Sequence, residues 1–245
     1  MTDLQLLVDQ GNTRLKWIWV RDGAIAEDTA GRGSLGDLAK ALEPGETPGP
    51  TGIRICSVAG PEPVADLRQL CLGRWNLEPC LMESRAEQGG IRNGYVRPQS
   101  LGVDRWMAIV GAATVHGAPV VIWDLGTAAT LDAVDASGQH LGGWILPGPG
   151  TMLRALRDHT KLNVPQDVDG VKGLHASDST AEAIRTGVLA AQVGAVECFI
   201  GSLSDRDCDD ATLVVTGGAA GDLLGALDID HVFDPLLVFR GMLVD

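Results

Sequence analysis

Residues 6–17, Leu6-Leu7-Val8-Asp9-Gln10-Gly11-Asn12-Thr13-Arg14-Leu15-Lys16-Trp17, decide the fold. Three apolar residues run into an aspartate, a glycine and an Asn-Thr pair, and apolar and basic residues then alternate to Val20. The pattern reads as a buried strand, a tight turn and a second strand. The turn has what a bound phosphate needs. Gly11 lets the backbone approach without a Cβ in the way. Asn12 and Thr13 offer short donors, and the amides of such a turn form an anion-binding concavity. Asp9, at the strand end, can orient a hydrated divalent cation that also binds phosphate oxygens. An ordinary hairpin with an Asn-containing turn has the same pattern, so this stretch alone leaves both readings open.

The pattern recurs. Val120-Val121-Ile122-Trp123-Asp124-Leu125-Gly126-Thr127-Ala128-Ala129-Thr130-Leu131 repeats strand, Asp-x-Gly, small polar residue and strand, with Asp124 115 residues after Asp9. That spacing is close to half of the 245-residue chain and predicts a duplicated unit. Two such units facing each other would aim two acidic turns into one cleft. The expected domains are therefore 1–117 and 118–245.

Composition narrows the function. The 45% hydrophobic and 21% charged residues are ordinary for a globular protein with ample core. A net charge of −13 argues against general nucleic-acid affinity, which depends on Lys and Arg neutralising phosphates. Five cysteines with no Cys-x-x-Cys predict neither a disulfide framework nor a zinc site. No signal peptide and no apolar run of membrane-spanning length is expected, so the reading is cytoplasmic, with no membrane partner. The five histidines share no ligand spacing, and the six tryptophans are expected in the core.

Further elements are expected in order: a helix at 35–42, a loop at 43–52, a strand at 53–58 and a helix at 64–74 opened by Pro61 and Pro63. A short strand near 80–83 follows. Residues 85–105 form an irregular stretch holding Arg92, the single tyrosine Tyr95, Arg97 and Gly102-Val103-Asp104-Arg105. A loop of such composition reads as functional. Asp104 stands at the start of an apolar helix, where an acid is also favoured by the helix dipole. Beyond the second acidic hairpin come a strand at 141–146, a helix at 151–157 and a long loop at 161–177. Ser179 and Glu182 have capping-box spacing and open a helix to about 202. Its expected inner face is Ile184, Val188, Ala191, Ala195 and Cys198, and Gly187 and Gly194 suggest a close backbone neighbour, either a core strand or a second subunit. A strand ending at Thr216-Gly217-Gly218 and a final helix opened by Asp234-Pro235 complete the chain.

DQGNTR (9–14), NGYVRPQSLGVDRW (93–106), DLGTAAT (124–130), GGWILPG (142–148) and TGG (216–218) stand in the order and spacing of type III pantothenate kinases, which the chain resembles over nearly its whole length. The resemblance implies an α/β fold of two ribonuclease-H-like lobes, the duplicated actin-like ATPase fold, with the active site in the cleft between them. It implies ATP-dependent phosphorylation of pantothenate, the first step towards coenzyme A. The alternatives are a nucleotide-binding regulatory or accessory protein on the same scaffold, and a kinase of the same superfamily acting on acetate or a sugar.

The resemblance also implies roles. Asp9, Gln10, Gly11, Asn12, Thr13, Arg14, Leu15 and Lys16 match the ATP phosphate loop, and Thr127 a further ATP contact. Asp104 matches the general base. Tyr95, Gly102, Val103, Asp104, Arg105 and Thr180 match pantothenate contacts. Asp124 matches the ligand of a monovalent cation, K+ or NH4+, beside ATP with Mg2+. The family is typically homodimeric. Three acids near one polyphosphate repel each other unless cations lie between them, so a requirement for both cation types is expected.

Overall fold

The computed structural model describes residues 3–42, 49–168, 173–208, 210–225 and 228–245. Most of the expected 43–52 loop, and residues 169–172 of the loop at 161–177, lie outside them.

The first sheet contains β1 (Leu4–Gln10), β2 (Leu15–Arg21), β3 (Ala24–Gly33), β4 (Gly52–Ser57) and β5 (Cys80–Leu81), in the order β3-β2-β1-β4-β5. β1 pairs antiparallel with β2, and β2 with β3, whereas β4 is parallel to both β1 and β5. Helix α1 (Leu35–Ala41) starts at a full capping box between Ser34 and Asp37. Helix α2 (Pro61–Trp75) begins on its two prolines and ends at Asn76 in the left-handed region. Leu6, Val8, Trp17, Ile53 and Ile55 from the sheet pack with Leu38 of α1 and Leu67 and Cys71 of α2. The short strands β6 (Glu87–Gln88) and β7 (Ile91–Arg92), a 3-10 turn at Pro98–Ser100 and helix α3 (Val103–His116) follow.

The second sheet contains β8 (Val120–Leu125), β9 (Ala128–Val134), β10 (His140–Pro147), β11 (Thr212–Thr216) and β12 (His231–Phe233), in the order β10-β9-β8-β11-β12. Three antiparallel strands followed by two parallel ones repeat the first sheet. The fold is therefore a duplicated α/β unit of the ribonuclease-H-like kind. Helices α4 (Pro149–His159), α5 (Thr180–Gly201), α6 (Gly221–Leu224) and α7 (Leu237–Met242) complete the chain.

Four strands, β3, β6, β7 and β12, escaped the sequence reading; β6 and β7 have two residues each, within the stretch expected to be irregular. β3 carries few apolar residues because it is an edge strand, and β12 has only three residues. The inner face of α5 also differs from expectation: Ile184, Val188, Leu189, Gln192, Val193, Val196 and Phe199 are buried, whereas Ala191 and Cys198 are exposed. The bulkier side chains occupy the core because they bury more apolar area. Gly187 and Gly194 face open space among the described residues, so no core strand is their close neighbour. Ser179 Oγ accepts from the Glu182 amide, forming the expected cap. α5 is also the one described helix long and apolar enough to cross a membrane, contrary to the expectation that no stretch qualified. Its apolar content reflects the face packed into the second core. Trp144 is the exception among the tryptophans, 42% exposed on edge strand β10.

Two compact units divide the chain: residues 1–89, 95–111 and 237–245 in one, 90–94 and 112–236 in the other. The expected boundary at 117/118 lies near the passage at 111/112. It misses the return of α7 to the first unit and the excursion of 90–94 into the second. α7 returns because it packs on α3 through two glycines. A Cβ on Gly111 would run into the Leu237 carbonyl, and one on Gly241 into the Met107 carbonyl.

Candidate active site

In the first unit the β1–β2 turn closes with the Gly11 amide donating to the Arg14 carbonyl at 3.1 Å. Asn12, Thr13 and Arg14 are exposed around this turn. Gln10 is buried, and its side-chain amide is held at both ends: Nε2 donates to the Pro63 carbonyl at 3.1 Å and Oε1 accepts from Ser57 Oγ at 2.8 Å. What Gln10 presents outward is therefore backbone, and the same holds for Leu15, whose side chain is core. The turn borders an open pocket of about 240 Å³, lined also by Ser34, Ala59, Pro63 and Asp66.

Asp9 is almost fully buried at the end of β1, with Lys16 Nζ 3.7 Å from Oδ2. Burial pushes its carboxyl above the usual carboxylate range. Lys16 opposes the shift, and the negative charge of Asp104 adds to it. The same two carboxylates help burial hold the Cys56 thiol well above its ordinary range; Cys56 pairs in register with Asp9 on the neighbouring strand. Asp9 and Asp104 are thus in electrostatic reach of each other inside one unit.

Asp104 is half-buried in the first turn of α3, and its Oδ1 accepts from the Arg105 amide at 2.7 Å. A Cβ on Gly102, just before it, would sit 2.7 Å from Asp104 Oδ1, so a side chain there would push the carboxylate aside. Arg105 is buried; its Nη1 donates to Tyr95 Oη at 3.0 Å, and its guanidinium carbon lies 5.8 Å from the Tyr95 ring centroid. The structure therefore brings Tyr95, Gly102, Val103, Asp104 and Arg105 together at the head of one helix.

Sequence reasoning missed the supports of this segment. Ser84 Oγ donates to the Leu101 carbonyl at 2.8 Å. Gln88 accepts from Trp106 Nε1 at 2.9 Å and donates to the Val244 carbonyl at 2.8 Å. Both residues are buried polar groups with fixed partners, as burial requires. They lie in an irregular stretch without periodicity, so no sequence signal marks them.

In the second unit three of the motif segments meet. The Gly126 amide closes the β8–β9 turn on the Ala128 carbonyl at 3.0 Å. The Thr127 carbonyl accepts from the Gly148 amide at 3.1 Å and from Thr151 Oγ1 at 2.6 Å. The Leu125 carbonyl accepts from the Ala219 amide at 3.0 Å. Gly217 has φ +96°, and a Cβ there would come within 2.5 Å of Asp124 Oδ1 and of the Leu125 backbone. Asp124 is half-buried at the end of β8, in register with Thr216, as Asp9 is with Cys56 in the first unit. Thr180 is exposed at the first turn of α5. Among the described residues no cluster of three or more His, Cys, Asp or Glu could hold a metal ion.

Two acidic hairpins, each joining the first two strands of one of two repeated five-stranded sheets, define the class: this is a protein of the duplicated actin-like ATPase fold. Comparison with known proteins makes the assignment specific. The family model for type III pantothenate kinase matches residues 5–202. A type III pantothenate kinase from Burkholderia ambifaria is 35% identical over 251 residues, covering 99% of this chain and 96% of that protein. The chain belongs to the type III pantothenate kinase family. Among solved structures, a Baf-family protein from Campylobacter jejuni is similar with TM-score 0.61 at 22% identity, covering 97% of this chain and 94% of that one. The activator of 2-hydroxyisocaproyl-CoA dehydratase from Clostridium difficile, with bound ADPNP, follows with TM-score 0.55 at 12% identity, covering 99% and 92%. At these identities both likenesses speak for the fold alone.

Proposed function

We propose that the protein transfers the γ-phosphoryl group of ATP to the primary hydroxyl of pantothenate, giving 4'-phosphopantothenate and ADP, the first step of coenzyme A biosynthesis. One observation supports the reading beyond family membership: Asp104 and Arg105 share the head of α3, with Arg105 held on Tyr95, in the same compact unit as the β1–β2 turn and its buried Asp9.

The chemistry follows from these groups. Phosphoryl transfer passes through a loose transition state, so placement and charge stabilisation do most of the work. The pantothenate hydroxyl oxygen forms the new bond to phosphorus as the bond to the ADP oxygen breaks. Asp104 holds that hydroxyl in line and takes its proton late, so it need not be a strong base. Arg105, held by Tyr95, presents a planar fork suited to the pantothenate carboxylate or the migrating phosphoryl group. Tyr95, Gly102, Val103 and Thr180 complete the acceptor contacts. Residues 9–16 take the ATP phosphates, through backbone amides at the turn and through Lys16, and Thr127 contacts ATP from the second hairpin.

Mg2+ accompanies ATP, and it supplies charge neutralisation between the phosphates and the acids. Asp124, half-buried at the end of β8, is the ligand we assign to a monovalent ion, K+ or NH4+, as its match to the family motif implies. The protein works as a cytoplasmic homodimer. The outward face of α5 carries Ala183, Gly187, Ala190 and Gly194 with open space over both glycines, which suits close approach of a second copy.

The test is incubation of the purified protein with ATP, Mg2+, K+ and, separately, pantothenate, acetate and a set of sugars. ADP release matched by phosphopantothenate formation, with pantothenate alone, is the expected result. ATP binding without phosphorylation of any acceptor would favour an accessory role instead.

A further inference from the structure

His140 and Asp132 form a buried pair that the phosphoryl-transfer machinery does not use. Both are almost inaccessible, at 1% and 2% exposure, and His140 Nε2 lies 3.0 Å from Asp132 Oδ1. Burying two ionisable groups costs several kcal/mol unless they are paired, and an apolar pair would often serve stability as well. What this pair adds is a fixed acceptor. The Gly94 amide points at His140 Nδ1 at 3.4 Å. In this arrangement Nδ1 faces the Gly94 amide as an acceptor and Nε2 faces the Asp132 carboxylate.

The segment that ends at Gly94 is unusual in the chain. Residues 90–94 leave the first unit, join the second, and the next residue, Tyr95, is back in the first. Their docking on the β9–β10 turn is dense. The Arg92 amide donates to the Gly138 carbonyl at 2.9 Å, Arg92 Nε to Gln139 Oε1 at 3.2 Å and Arg92 Nη2 to Ser137 Oγ at 3.1 Å. Gln139 Nε2 donates to the His140 carbonyl at 2.9 Å. Asp135 Oδ1 fixes the turn itself through the Ser137 and Gln139 amides. At Gly94 the backbone is so close that a Cβ would overlap the His140 carbonyl.

We propose that His140, held by Asp132, is a positioning residue for the acceptor: it fixes Gly94 and so sets where Tyr95, and through it the Arg105 guanidinium, meets pantothenate. The inference rests on the reading of Tyr95 and Arg105 as acceptor contacts. Its reach is the acceptor side alone, because none of these groups belongs to the phosphate loop.

The experiment measures KM for pantothenate, KM for ATP and kcat for His140→Ala, Asp132→Asn, Arg92→Ala, Gly94→Ala and Tyr95→Ala. Arg92 is exposed, so its variant tests the docking even where the core variants fold poorly. Arg92→Ala, and His140→Ala where it folds, are expected to raise KM for pantothenate about 10-fold, the loss of one or two hydrogen bonds, with KM for ATP within about 2-fold. Gly94→Ala shifts the same constant in the same direction. Asp132→Asn keeps an acceptor oxygen for Nε2 and retains most of the wild-type KM. If Tyr95→Ala raises KM for pantothenate but Arg92→Ala does not, or raises both KM values together, the positioning role is refuted. If Tyr95→Ala itself leaves KM for pantothenate unchanged, the acceptor-site reading beneath it falls instead.

Discussion

Asp9→Asn separates stability from function, because Asp9 carries a charge the free protein would rather not bury. Its carboxyl is raised above the ordinary value of 3.8 mainly by burial, and repulsion from Asp104 adds to the shift. The opposing partner, Lys16, stands 3.7 Å away with 44% of its side chain exposed, and such a pair contributes only ~0–1 kcal/mol. Desolvation therefore wins. The sign follows by linkage: an acid whose folded pKa is raised is favoured as the neutral form in the native state. Below the unfolded value near 3.8 the group costs nothing. As pH rises from there through the raised native value the fold loses stability, and the loss is then constant. Asparagine keeps the shape without the charge. We expect Asp9→Asn to be more stable than wild type at pH 7 by on the order of 1–2 kcal/mol, a rise in Tm of roughly 2–8 °C at this chain length. The difference should shrink as pH falls towards 4. Thermal unfolding of both proteins from pH 4 to pH 8, without nucleotide, measures it, and a turnover assay should show the variant inactive. A variant less stable than wild type at pH 7, by a margin that pH does not change, would refute the reasoning.

Other outcomes follow from the same geometry. Gly241→Ala drives a methyl into the Met107 carbonyl, so α3 and α7 must part; overpacking of this kind costs about 1–3 kcal/mol, and the displaced Asp104 should lower kcat about 10²-fold, read by Tm and steady-state kinetics. Gly217→Ala places a side chain at φ +96° and against Asp124, and should cost at least about 1 kcal/mol while raising the K+ concentration needed for half-maximal activity. Strict removal of K+ and NH4+, with Mg2+ present, should abolish most turnover of the wild type; full turnover would remove Asp124 from the cation role.

Much of this architecture was legible in the sequence because it rests on local patterns. Apolar strands running into Asp-x-Gly turns marked β1–β2 and β8–β9, and prolines and a serine cap marked the starts of α2 and α5. The missing parts have physical reasons. β3 is an edge strand, where a polar sequence is tolerated and shields the unpaired edge. The inner face of α5 cannot be read from periodicity when alanine, glycine and cysteine surround it on every side. The return of α7 to α3 depends on Gly111 and Gly241, more than a hundred residues apart. At the site, the residues that carry chemistry stand in compact motifs. Those that hold them, Ser84, Gln88, Gln10 with Ser57, and His140 with Asp132, find their partners through the fold, and a sequence without its fold gives such pairs no signature.

Phosphorylation of pantothenate by Asp104→Asn beside the wild type, with ATP affinity measured on both, tests the account most directly. The wild type should form one phosphopantothenate for each ADP released. The variant should bind ATP within about 2-fold of wild type and lose about 10²–10⁴ in turnover, the usual span for a general base. A variant that turns over at the wild-type rate would contradict the account, as would a wild type that releases ADP without phosphorylating the acceptor.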